Sequence, residues 1–257
     1  MGSIKALTII GLLLSNNYVV AQASQQNYRP VADKKERKTE EDEPNRQEEQ
    51  KPLDFSDTGR PGQQTAGESR GGCPNLNEKI KAVVPVSHTG KTVAGHPKFW
   101  VYFPYSSPQI SHVEFILQNE NREDIWRTQL DPDESIGYKN FSLPKTEPAL
   151  KIGQWYRWYL KVYCQSNVAS AQYVQSWVKR VPLDSKLYLE LEKQSQSPYK
   201  TYSSYGIWYD SVDRLLSEYQ SDPSNLALEK DWQNLIRAKG VELQSLPEVG
   251  VSYEAVK

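Results

Sequence analysis

Trp155-Tyr-Arg-Trp-Tyr-Leu-Lys-Val-Tyr-Cys164 decides how the chain is read. Successive side chains of a strand point to opposite faces. Tyr156, Trp158, Leu160, Val162 and Cys164 therefore share one face, and Trp155, Arg157, Tyr159, Lys161 and Tyr163 share the other. The first set suits a core. The second interleaves rings with cations, whose stems can lie over aromatic faces. Residues 171–181 offer a partner strand that adds Tyr173 and Trp177.

Outward from this strand, short runs rich in Val, Ile, Tyr, Phe and Trp recur at 81–86, 98–104, 111–118, 123–130 and 138–143. Turn-like residues separate them, among them Thr89-Gly90, Gly95-His96-Pro97 and Asn119-Glu-Asn121. Strands at this spacing predict an all-β, immunoglobulin-like antiparallel sandwich over 73–182. Proline enters these runs only near an end, at Pro85 and Pro104, which agrees with strand pairing.

After Val181-Pro182 the period changes to helical, and a small C-terminal segment of two or three helices is expected over 183–240. Residues 183–193 form a first, weaker helix. Residues 201–220 place Ile207, Val212, Leu215, Leu216 and Tyr219 on one face, and Ser221-Asp-Pro223 stops the helix. Residues 225–239 carry Leu226, Leu228, Trp232, Leu235 and Ile236, with Gly240 at a C-cap position. Tyr202, Gly206, Trp208, Ser211, Leu215, Pro223 and Asn225 match the second half of a tetratricopeptide repeat, so a tetratricopeptide-like hairpin is one expectation. A plain helical hairpin packed on the sandwich is the other. Residues 241–257 read as a loose tail.

The N-terminus supplies an address. Lys5, the apolar run Ala6-Leu-Thr-Ile-Ile-Gly-Leu-Leu-Leu14 and the small residues of Ala21-Gln22-Ala23 compose a secretory signal peptide over 1–23, cleaved near Ala23. The run is too short to span a membrane, which takes about 20 apolar residues. A periplasmic or secreted protein is expected. Residues 24–72 are charged and turn-rich with little apolar content, the composition of a disordered linker. From Cys73 onward there are 21 basic and 21 acidic side chains, and this neutrality argues against a nucleic-acid partner. Cys73 and Cys164 are the two cysteines; in an oxidising compartment they read as one disulfide.

No catalytic pattern emerges. His88, His96 and His112 lack metal-ligand spacing, and there is no Gly-x-Ser-x-Gly elbow or phosphate loop. No cofactor and no metal are expected. His96 before Pro97 fits a role in fixing the entry to the next strand. Asp210, in Ile-Trp-Tyr-Asp, reads either as a buried polar group or as a residue of the helix surface, with the surface favoured.

Several stretches together resemble one family. They are Gly59-Arg-Pro-Gly62, Arg70-Gly-Gly-Cys-Pro74, Val83-Val-Pro85, His96-Pro-Lys-Phe-Trp-Val-Tyr-Phe-Pro-Tyr105, Glu114-Phe-Ile-Leu-Gln118, Tyr156-Arg-Trp-Tyr159 and Gly206-Ile-Trp-Tyr-Asp210. The sequence resembles the cyanobacterial domain-of-unknown-function 928 family over about residues 59–245. The resemblance implies a secreted protein with the same sandwich-plus-helices plan, and it carries no catalytic residues.

The functional expectation is a non-enzymatic periplasmic or exported interaction module. Its partner would be another periplasmic or cell-surface protein, or a glycan. Trp155, Arg157, Tyr159, Tyr163 and Trp177 are the candidate binding residues, able to form an aromatic platform for sugars or an extended peptide. The helical segment is itself rich in rings (Tyr199, Tyr202, Tyr205, Trp208 and Tyr209) and has to pack on something. The sequence therefore favours helices covering this same sheet face. A hydrolase is the remaining alternative.

Overall fold

A computed structural model describes residues 52–56, 79–106, 109–131, 136–165 and 167–249. The signal-peptide segment, Cys73 and most of the charged linker lie outside the described residues. Eight strands and four helices follow in order: β1 (Lys81–Ala82), β2 (Thr89–Thr92), β3 (Lys98–Phe103), β4 (Ile110–Asn119), β5 (Asp124–Leu130), β6 (Gly137–Ser142), β7 (Trp155–Cys164), β8 (Asn167–Arg180), α1 (Ser185–Lys193), α2 (Pro198–Ser204), α3 (Trp208–Ser221) and α4 (Leu226–Ile236).

The strands form two sheets, one of three strands in the order β1-β3-β6 and one of five in the order β2-β8-β7-β4-β5. The sheets meet through rings: Phe99 of β3 lies 5.6 Å from Phe115 of β4 and 5.2 Å from Trp158 of β7, centroid to centroid. The expected immunoglobulin-like, purely antiparallel sandwich gives way here. Thr89–Thr92, whose opening Thr-Gly suggested a turn, is a strand, and it pairs parallel with β8 from Thr89↔Trp177 to Thr92↔Arg180. The larger sheet is therefore mixed. Thr89 and Thr92 are fully buried in it.

Strand β3 is buried on both sides. Phe99, Trp100, Val101, Tyr102 and Phe103 are all at most 2% exposed. One side meets the larger sheet. On the other, Trp100 donates its indole N–H to Asp213 of α3 at 3.2 Å, and Tyr138 of the adjacent β6 meets Trp232 of α4 at 5.7 Å. The helices thus lie against the small sheet.

There are four helices where two or three were expected. Residues 201–220 do not form one helix, because the chain breaks between α2 and α3. Gly206 sits there at φ +67°, a left-handed conformation that glycine adopts without a Cβ penalty. The two helices then pack through Ser203 and Ser211, whose hydroxyls hydrogen-bond. Asp184 caps α1 by accepting from the Leu187 N–H at 2.8 Å, and Asn225 caps α4 by accepting from Ala227 at 3.1 Å. The expected apolar stripe of α4 is buried at Leu228, Trp232, Leu235 and Ile236, while Leu226 is exposed.

Two stretches read as unstructured contribute to the core. Within the linker, Asp54 forms a parallel bridge with Lys239, and the Phe55 N–H donates to the Lys239 carbonyl at 2.9 Å. Phe55 is buried edge-on against Trp208 at 4.9 Å. Gly240 makes room for this: a Cβ there would stand 2.6 Å from Ser56 N. Gly240 lies four residues beyond α4, so its task is close approach of this segment rather than a helix cap. Beyond it, Val241 and Leu246 are buried where a loose tail was expected.

Candidate functional site

The outer face of the five-stranded sheet is built by pairing β7 with β8. Alternation puts Tyr156, Trp158, Leu160, Val162 and Cys164 inward, all at most 5% exposed. The opposite set points out, and the register places each residue beside a counterpart. Trp155 lies across from Lys179, Arg157 from Trp177, Tyr159 from Gln175, and Lys161 from Tyr173. A ring and a cation thus share three of these four rows. On the other flank β4 pairs His112 with Tyr163, Glu114 with Lys161, Ile116 with Tyr159 and Gln118 with Arg157.

The expectation that helices cover this face is overturned. The aromatic residues of the helices reach the opposite side. Tyr209 of α3 accepts from the Trp158 indole at 2.9 Å and meets Phe99 at 5.3 Å. Trp208 donates to the Val83 carbonyl at 3.0 Å. Arg157, Tyr159, Lys161, Tyr163, Tyr173, Trp177 and Lys179 remain partly exposed. Trp155 is the exception, 7% exposed under Lys179, whose ammonium lies 5.6 Å from its ring centroid. It closes one end of the face.

Arg157 is the centre of the arrangement. Its guanidinium lies 4.8 Å from the Tyr159 ring centroid and 5.6 Å from that of Trp177, and it donates to the Gln175 side-chain carbonyl. Its Nε is buried and makes no hydrogen bond, an uncommon condition for a native donor. Desolvation raises the Tyr159 hydroxyl above its ordinary pKa. Tyr163 stacks on His112, with centroids 4.2 Å apart and planes 14° apart, and its hydroxyl points to Glu114 at 3.4 Å. The structure therefore brings Arg157, Tyr159 and Trp177 together as one unit and engages Tyr163 with its neighbours on β4.

Glu114 was missed in the sequence. It receives Arg127 at 2.5 Å and Lys161 at 3.6 Å, while Arg127 also pairs with Asp124 at 2.7 Å. The Glu114 pairing raises the Arg127 pKa, and the amide of Gln118 lowers that of Asp124. The polar alternation His112, Glu114, Gln118 could have marked this as the face shared with Tyr163 and Lys161.

His96 Nε2 hydrogen-bonds the Glu147 carbonyl at 2.8 Å, a tether beside the start of β3. Asp210 is not a simple surface residue: it accepts from the Val93 N–H at 3.2 Å and from Thr92, tying the first turn of α3 to the end of β2. Burial pushes its pKa up to about 6. Among the described residues, no group of three or more His, Cys, Asp or Glu is placed to hold a metal ion, and no helix is long and apolar enough to cross a membrane. Cys164 is buried at the end of β7.

A family model described as Domain of Unknown Function (DUF928) matches residues 65–249. No curated protein matches the chain.

Proposed function

We propose, from the premise that the chain belongs to the DUF928 family, that it is a non-catalytic, exported interaction module whose binding surface is the outer face of the five-stranded sheet. The observation that carries this is the Arg157 unit. A guanidinium held over Tyr159 and Trp177, on a face the helices leave open, combines apolar area with hydrogen-bond donors. Surfaces of that composition supply the dominant contacts of recognition sites. The rigid backing comes from Trp158, Leu160 and Val162, each fully buried behind the face.

The rest of the chain takes its place around this surface. Residues 1–23 direct export, and the charged stretch that follows is a spacer, with residues 52–56 held against the domain. A disulfide between Cys73 and Cys164 ties the start of the domain to the end of β7; no free cysteine occurs among the described residues. Carbohydrate or cell-wall binding through the same face is the second reading, favoured by the partly exposed rings of Tyr159, Tyr173 and Trp177.

The test is affinity capture from an extracytoplasmic extract with the full mature chain, alongside Trp177→Ala and Arg157→Ala. Bound material common to repeats of the native protein and lost in both variants is the expected result. Identical capture by all three proteins removes the face from consideration.

A further inference from the structure

We infer that the ligand of this face is an anionic glycan, a polymer of sugar rings that carries carboxylates. The inference rests on the binding-surface reading above and names the class of ligand.

Charge is the first argument. On the β4–β5 flank the strand-borne cation Arg127 meets Glu114 and Asp124, and Lys161 of β7 meets Glu114, while Arg122 stands apart in the β4–β5 turn. On the β7–β8–β2 flank other cations lack such a partner. Among the described residues, Arg157, Lys179 and Lys91 have no carboxylate within ion-pair distance. The register gathers them in adjacent rows: Arg157 opposite Trp177, Lys179 opposite Trp155, and Lys91 opposite Lys179. Like charges directly opposite one another destabilise a sheet. Lys91 and Lys179 side by side therefore suit an anion that both can approach.

Topology is the second argument, and it separates a glycan from an extended peptide. A peptide that binds a sheet commonly adds as a strand at an open edge, through main-chain hydrogen bonds. Of the three cations only Lys91, on the edge strand β2, stands at such an edge; Arg157 and Lys179 do not. β7 lies between β8 and β4, and over Trp177–Arg180, the rows that carry Lys179 and face Arg157, β8 lies between β2 and β7, so both strands are paired on both sides there. What an incoming polymer meets is side chains: the partly exposed rings of Tyr159, Tyr173 and Trp177, and the cations. Rings suit the faces of a sugar, and the cations suit its carboxylates.

The experiment measures binding of the full mature chain to polygalacturonate, to its fully methyl-esterified form, and to polyglutamate. The native protein should bind polygalacturonate, bind the ester roughly tenfold more weakly, and lose affinity steeply with added salt, as exposed charge pairs do. The double variant Lys91→Gln/Lys179→Gln, on partly exposed side chains, should lose about the same factor with a melting temperature no lower than that of the native protein. Trp177→Leu should weaken binding to the acid and the ester alike. Equal affinity for acid and ester, with Trp177→Leu still damaging, would overturn the anionic ligand and leave the binding face standing. Polyglutamate binding as tightly as polygalacturonate would replace the glycan by an acidic peptide or bare charge, and so overturn the inference. Binding to none of the three polymers overturns it as well. Binding unaffected by Trp177→Leu and by the lysine variant removes the face itself.

Discussion

The indole N–H of Trp158 donates to the phenol oxygen of Tyr209 at 2.9 Å, deep in the core, and so joins β7 to the first turn of α3. The phenol in turn reaches Ser176 Oγ at 3.2 Å and the Trp177 carbonyl at 3.0 Å. One hydroxyl therefore connects the strand that carries Arg157, the strand that carries Trp177 and the helix behind them. Tyr209→Phe keeps the ring and strands the Trp158 donor. Leaving a buried donor unpaired costs about 1–3 kcal/mol. Urea unfolding should show that loss with an unchanged slope, and a midpoint equal to that of the native protein would count against the role given to this hydroxyl.

Phe55 belongs to the folded domain, although it lies in a stretch of linker composition. Phe55→Ala should destabilise by about 3 kcal/mol or more, the usual cost of emptying a buried aromatic site. Gly240→Ala should act on the same contact, because its new Cβ would collide with the backbone at Ser56. The two substitutions together should then cost clearly less than the sum of each alone. Additive effects in thermal melts would separate the two sites.

Asp210 sets a pH dependence with a definite sign. Its pKa stands at about 6 in the folded protein against 3.8 as the reference. Between those values the folded state holds a proton that the unfolded state has released. This carboxyl's contribution therefore falls as pH rises from about 4 to 6 and is level above. Asp210→Asn keeps an acceptor for the Val93 N–H and removes the titration. The variant should gain stability relative to the native protein across that window, by up to about 3 kcal/mol. Parallel stability curves for the two proteins from pH 4 to 7 would contradict this.

The mature protein should carry no free thiol. Alkylation without reduction should leave its intact mass unchanged, and reduction should expose two reactive cysteines, Cys73 and Cys164. Closing a loop of this length contributes about 4–5 kcal/mol in the chain-entropy treatment, so Cys164→Ser should lower the melting temperature by many degrees. Two labelled thiols in the non-reduced protein would refute the pairing.

The inner face of β7 was legible in the sequence because a strand has a period of two and all five expected core residues fall on one parity. Arg157, Tyr159 and Trp177 were legible for the same reason. Their contact was not, since it depends on the register of β7 against β8, which side-chain patterning does not fix. β2 was hidden because Thr89-Gly-Lys-Thr92 has no apolar alternation; its burial comes from parallel pairing at long range. The position of the helices was misjudged although a signal existed. Phe99-Trp-Val-Tyr-Phe103 is apolar without alternation, the pattern of a strand covered on both faces. A strand covered twice needs a second layer over it, and the helices are that layer. The break at Gly206 is not visible in the apolar stripe, because Ile207, Val212, Leu215, Leu216 and Tyr219 all lie beyond it.

The bridge between Asp54 and Lys239 has a consequence for how the chain reaches its native state. Its partners are 185 residues apart. A chain made from its N-terminus presents Phe55 long before the residues that receive it exist, and pairings so distant in sequence are slow to form. The seat beside Trp208 and Gly240 can be filled only after the last helix is complete. Closure of this contact therefore joins the two ends of the described chain and belongs with the slow, non-local steps of folding.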